Sequence, residues 1–185
     1  MRLSRRVVLC LGLACLLPAP LAGAANSSPY EDAAADAPSA APDLAAVHVS
    51  NDDAGTVTFQ ISIPNRPELA PTDLVAVLIN ADAKVGTGCA RGVFGAEYAL
   101  DVLANRYVFG RCISGRWDFT RRPASLRGSF ADSTLILKAS RRALGGTSRF
   151  AFRIGAAAAT QADPAFDFAP DVGTSPWIYR VLRPQ

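Results

Sequence analysis

The stretch Asn80 to Cys89, NADAKVGTGC, follows the apolar run LVAVLI and gathers an amide, a carboxylate, a lysine, two glycines and a cysteine in one short loop. A dinucleotide loop would need G-x-G-x-x-G and a helix after it, whose N-terminus meets the pyrophosphate. Here Gly86, Gly88 and Gly92 are spaced G-x-G-x-x-x-G, and the next segment alternates as a strand, so phosphate binding is rejected. A calcium loop draws about six to eight oxygens from alternate side chains and from carbonyls. Asn80, Asp82 and the Lys84 carbonyl have that spacing, although Lys84 brings a positive charge. An ordinary turn is the favoured reading, with calcium at Asn80 and Asp82 as the ionic alternative.

Nucleophilic catalysis has little to work with. Beyond the N-terminal leader the one histidine is His48, in AVHVS, where Val47 and Val49 point inward and His48 outward. No G-x-S-x-G occurs. Two acids at the right separation could hydrolyse a glycoside, and Glu97, Asp101 and Asp118 are the nearest candidates, but they read as solvated charges on strand faces. The aromatic residues are better clues. Trp117 lies in GRWDF at an expected hairpin, Trp177 and Tyr179 share a face of PWIYRVL, and Tyr107 and Phe109 share a face of RYVFGR. Exposed aromatic faces stack on the apolar C–H faces of sugars, while neighbouring polar groups such as Arg116 and Asp118 read hydroxyls. The competing reading is that these rings fill a core. Asp167 and Asp171, in DFAPDVG, are further acids before the last expected strand.

The N-terminus sets the compartment. MRLSRR is a basic region, VVLCLGLACLL is apolar, and Ala22 and Ala24 offer small residues for cleavage, so residues 1–24 read as a secretory signal. SRRVVL is similar to a twin-arginine signal, and Cys15 sits in a poor lipid-anchor box. No stretch is long and apolar enough to span a bilayer. Loss of Arg2, Arg5 and Arg6 takes the basic count from 19 to 16, level with the 16 acidic residues, so charge gives no argument for nucleic acid. Cys10 and Cys15 belong to the signal. Cys89 and Cys112 remain, an even pair for an oxidising compartment and an expected disulfide.

The elements that must position these groups have period two. In TVTFQISI, Val57, Phe59, Ile61 and Ile63 face one way and Thr56, Thr58, Gln60 and Ser62 the other. SRFAFRI and EYALDV repeat the pattern, and LVAVLI, apolar on both faces, is expected at a sheet centre. Turn signals such as NDDAG, SGR, ADS and LGG separate the runs, and SRRALG offers one turn of helix. Short, evenly spaced strands predict an antiparallel β-sandwich, jelly-roll-like, over residues 43–185. Residues 25–42, rich in Ala, Pro, Ser and Asp, read as a disordered linker, and Asn26 opens an NSS glycosylation acceptor.

The segments HVSNDDAGTVTFQISIPN, VAVLINADAKVGTG, GAEYALDV and FDFAPDVG…WIY, in that order, resemble secreted actinobacterial proteins similar to family 9 carbohydrate-binding modules and DOMON-like β-sandwiches. The resemblance covers residues 43 to 183. In those relatives the loop after the central strand reads Asp-Thr-Asp and then Thr-Gly. Here it reads Asn80-Ala81-Asp82 and then Thr87-Gly88, which puts metal binding in doubt. The resemblance implies a tryptophan clamp on a terminal sugar, with Trp117 and Trp177 the candidates. Haem held by methionine and histidine, as in some relatives, is rejected because the only methionine is Met1.

The expectation is a secreted, monomeric, non-catalytic module that binds a carbohydrate, with Trp117, Trp177 and Tyr179 stacking and Asp82, Arg116 and Asp118 orienting. The alternative is an extracellular structural or adhesion domain that binds another protein. A glycan-acting hydrolase comes third.

Overall fold

The computed structural model describes residues 26–38, 40–90, 94–103, 106–158 and 165–182. The expected signal, with Met1, Cys10 and Cys15, lies outside the described residues. Twelve strands run in chain order: β1 Asn26–Glu31, β2 Ala46–Asn51, β3 Thr56–Ser62, β4 Asp73–Asn80, β5 Tyr98–Leu103, β6 Arg106–Ile113, β7 Arg116–Asp118, β8 Arg127–Ala131, β9 Thr134–Ser140, β10 Arg149–Ala158, β11 Ala165–Ala169 and β12 Trp177–Arg180. No helix occurs among the described residues, and so none is long and apolar enough to cross a membrane. In place of a helix, residues 141–146 form hydrogen-bonded turns, because Gly145 and Gly146 both take positive φ.

The expected all-β, two-sheet architecture is what the chain adopts. One sheet has the order β1-β2-β3-β9-β8. The other has the order β11-β10-β4-β5-β6-β7, with β12 pairing the other half of the β10 edge that β11 uses. Every pairing is antiparallel. LVAVLI is β4 and lies at the centre of the second sheet.

The period-two segments aim alternate side chains into one core between the sheets. Phe59 of β3 meets Phe152 of β10 edge to face at 5.5 Å, and Phe150 packs on Phe59 at 6.0 Å. Tyr107 of β6 lies over Gly128 of β8, where even a methyl group would collide with its ring. These aromatic contacts and the aliphatic residues around them exclude water from the sandwich, and burial of this kind is the main favourable contribution to folding.

The sheets differ on their outward sides. The first presents Thr58, Gln60, His48, Ser50 and Lys138, as a half-solvated antiparallel sheet should. The second presents Leu74, Ala76 and Leu78 of β4, Leu103 of β5 and Val108 of β6, with Arg106 of β6, Arg149 and Arg153 of β10 and Arg180 of β12 on the same side.

One expectation fails at the N-terminus. Residues 26–31 form β1, paired with β2 from Asn26↔Asn51 to Glu31↔Ala46. Tyr30 anchors this strand on Phe152 and Trp177, at 5.0 and 5.2 Å, and its hydroxyl donates to the Ile178 carbonyl. Ala41 is fully buried. The low-complexity composition hid a single aromatic anchor and a set of backbone partners. The ends also meet. The Asn26 side chain donates to the Arg180 carbonyl, and Asn51 exchanges hydrogen bonds with both backbone groups of Leu182.

Candidate functional site

Strand connections give the sandwich two ends. At one, the β6–β7 hairpin, the β9–β10 turn and the Asn80–Cys89 loop come together. The hairpin turns on Ser114 and Gly115, both at positive φ, as a tight two-residue turn requires. The loop is fixed internally. The Asp82 carboxylate accepts from the Lys84 N–H at 2.9 Å and from the Thr87 hydroxyl, and Glu97 accepts from the Ala81 N–H at 2.8 Å. The Asn80 side chain is buried and donates to the Phe94 carbonyl at 2.6 Å. Asn80 and Asp82 thus serve different parts of the loop. Cys89 is bonded to Cys112 of β6, with Cα atoms 5.6 Å apart, as expected.

Between the β6–β7 hairpin and the β9–β10 turn opens a cleft of about 480 Å³. Tyr98 and Phe109 form its aromatic floor, with ring centroids 5.9 Å apart. Arg111 comes from β6, Arg121 and Arg122 from the segment after β7, and Arg142 from the β9–β10 turn. All four arginines are exposed, and no guanidinium among them donates a hydrogen bond to a described residue. The contrast with their neighbour Arg141 is instructive, since that side chain is spent on the carbonyls of Gly146 and Thr147. Asp118 supplies the one carboxylate among the described residues that line the cleft. The Thr120 hydroxyl and backbone N–H hold it below the usual carboxylate range, and Arg121 and Arg111 add to this.

The expected sugar residues are scattered. Asp118 alone lines this cleft. Trp117 is half-buried beside Phe119 on the outward side of its sheet, opposite Cys112. Arg116 is exposed at the hairpin without lining the cleft. Trp177 packs inward on Tyr30 and Phe152. Tyr179 is fully buried, its hydroxyl donating to Asn51 Oδ1 at 2.9 Å, so it cannot touch a ligand. The tryptophan clamp fails on geometry. Trp117 and Trp177 lie at opposite edges of the seven-stranded sheet, and five strand spacings of ~4.8 Å put them about 24 Å apart. Asp101 is a second correction. Its Oδ1 is buried without a partner, and desolvation pushes the carboxyl up to about 7, so it is no solvated strand-face charge. His48 is exposed, as expected.

At the other end lies an acidic group. Asp36, Asp43 and Asp167 bring carboxylate oxygens within 4.8 Å of one another. Asp167 accepts from the Leu44 and Phe168 N–H groups at 2.6 and 2.8 Å, and both Asp43 oxygens accept from the Ala35 N–H. Desolvation raises Asp32 to about 6, with Asp171, Asp167 and Asp36 adding to the effect. If any described residues hold a cation, these carboxylates have the right donor chemistry.

Comparison with protein-family models, with curated proteins and with solved structures found no match.

Proposed function

We propose that this chain is a secreted, non-catalytic binding module whose ligand is an acidic carbohydrate, held in the arginine-lined cleft. The observation that carries the reading is the convergence of the exposed Arg111, Arg121, Arg122 and Arg142 on one aromatic-floored cleft, where Asp118 is the acid that Arg111 and Arg121 face. Guanidinium groups match carboxylates as paired donors, and the half-buried Tyr98, backed by the buried Phe109, offers apolar ring area to a sugar's C–H face. Asp118, kept ionised by Thr120, is an acceptor for hydroxyls. A single carboxylate held low cannot supply the acid and base pair of a glycosidase, which favours binding over hydrolysis. The recognition needs no metal. The export signal read in residues 1–24 supports a site of action outside the cell.

The test is calorimetric titration of the chain from Asn26 onward with oligogalacturonate and with a neutral glucan oligomer of equal length. Binding of the acidic oligomer alone, weakening steeply between low and physiological salt, is the expected result. Arg121→Ala and Arg142→Ala should each weaken it about tenfold. Equal binding of the neutral oligomer, or unchanged affinity in both variants, would overturn the reading.

A further inference from the structure

The arginine-lined cleft does not end at Phe109. A second cavity of about 460 Å³ lies beyond it, and Phe109 and Arg122 are walls of both. The second cavity follows β6 toward its start, where Arg106, Tyr107 and Val108 line it, with Phe119 as a further wall. From Arg106 to Arg111 is five strand steps of ~3.4 Å. The two cavities together therefore follow about 17 Å of β6, longer than one sugar ring.

Register explains why β6 is open here. β7 pairs with β6 only at Arg111, Cys112 and Ile113, so residues 106–110 form a free sheet edge. In an antiparallel pair, opposed residues alternate between those that exchange hydrogen bonds and those that do not. The Cys112 N–H donates to the Glu97 carbonyl, which sets the phase against β5. Arg106, Val108 and Gly110 therefore bond toward β5, while Tyr107 and Phe109 turn their N–H and C=O groups to the open edge. Among the described residues nothing bonds those groups on that side. Arg106 and Arg122 are exposed, neither guanidinium donates a hydrogen bond to a described residue, and no acid is among the described residues that line this cavity. Asp101, opposite Val108 on β5, is the acid beside it by register and is not one of its walls.

We propose that this second cavity is a further subsite for the acidic carbohydrate, so that one chain of uronate residues runs from the cleft along the β6 edge to Arg106. The inference rests on the carbohydrate reading of the cleft. Arg122 stands between the two cavities, and Arg106 binds a carboxylate at the far end. The free Tyr107 and Phe109 backbone groups bond the ring hydroxyls between them. A ligand with one carboxylate per ring matches cations spread along a strand. An added peptide strand is the other use of a sheet edge. Only Tyr107 and Phe109 offer free groups for one, since β7 takes the edge from Arg111 onward and β6 begins at Arg106.

The test is calorimetric titration of the protein with the galacturonate dimer, tetramer and hexamer. The tetramer should bind at least about tenfold tighter than the dimer, above the small gain that extra registers give any longer chain. Arg106→Ala should weaken tetramer binding about tenfold and dimer binding less than about threefold. In isotopically labelled protein the tetramer and hexamer should shift the Tyr107 and Phe109 amide resonances, and the dimer should leave them in place. A tetramer no tighter than the dimer, an Arg106→Ala variant that weakens both equally or neither, or unmoved amides would overturn the subsite and leave the cleft standing. No binding of any oligomer would overturn the carbohydrate reading and the subsite with it. An oligoglutamate of the tetramer's charge that binds as tightly and shifts the same amides would overturn the subsite in favour of a peptide strand.

Discussion

The two ends of the sandwich concentrate opposite charges and treat them differently. At one end Asp167 and Asp43 are buried and bonded to backbone N–H groups, so their carboxylates fasten the segment before β2 to the edge of the second sheet. At the other, four exposed arginines ring an aromatic floor and spend no guanidinium hydrogen bond on the described chain. The acidic end is closed by non-covalent bonds, whereas the arginine end is braced by the Cys89–Cys112 bridge, whose strand also carries Arg111. Like charges gathered in one place thus have two uses. Spent on the chain's own donors they are part of the fold, and left unspent they are available to a ligand.

Removing the covalent brace tests the comparison hardest. A Cys89→Ser/Cys112→Ser double variant should lose about 3 kcal/mol in denaturant unfolding, given the 23-residue separation that the bridge closes. Oligogalacturonate binding should fall with it, while the acidic end keeps its hydrogen-exchange protection. Next in size is Asp167→Ala, which strands the Leu44 and Phe168 N–H groups and should cost about 2 kcal/mol. Asp167→Asn keeps an acceptor and removes a like charge, so it should cost much less. An equal loss in both variants would show that the carboxylate's charge, and not its acceptor geometry, matters here.

A smaller effect is the pH dependence of the acidic end. Asp32 titrates at about 6 in the folded chain against 3.8 when unfolded, and Asp167 is also raised. A folded state that binds the proton more tightly is most stable below the unfolded value and loses that advantage as pH rises through the folded one. Asp101, raised to about 7, has the same sign. The thermal midpoint should therefore decline from about pH 4 to pH 7, and Asp32→Asn should flatten the lower part of that decline. The smallest effect on stability belongs to Arg121→Ala and Arg142→Ala, which should shift unfolding by less than about 0.5 kcal/mol because both side chains are exposed and neither donates a hydrogen bond to the described chain. A larger loss would mean that the arginines support the fold.

Much of the fold is legible in the sequence because a period of two is a direct record of which side chains face a core. TVTFQISI, SRFAFRI and LVAVLI became β3, β10 and the central β4. The disulfide follows from there being two cysteines beyond the expected signal. What alternation cannot report is which sheet edge a strand occupies. Trp117 and Trp177 sit sixty residues apart in a sequence that says nothing of the four strands between them. The cleft was hidden for the same reason. The doublets Arg121–Arg122 and Arg141–Arg142 are visible in turns, but only the folded chain brings a hairpin of one sheet against the β9–β10 turn. Asp101 looked solvated because the apolar outward positions around it belong to other strands.

The Asn26, Asn51, Arg180 and Leu182 contacts have a mechanical consequence. The first and last strands finish beside each other at the arginine end, stitched by side chains and by the Tyr179 hydroxyl. Tension applied between residues 26 and 182 would load that stitch before the sandwich. Once it parts, β1 and β12 would peel away one pair at a time, because force enters at their tips. Anything joined at either end would pull on the module where it is easiest to open, next to the cleft.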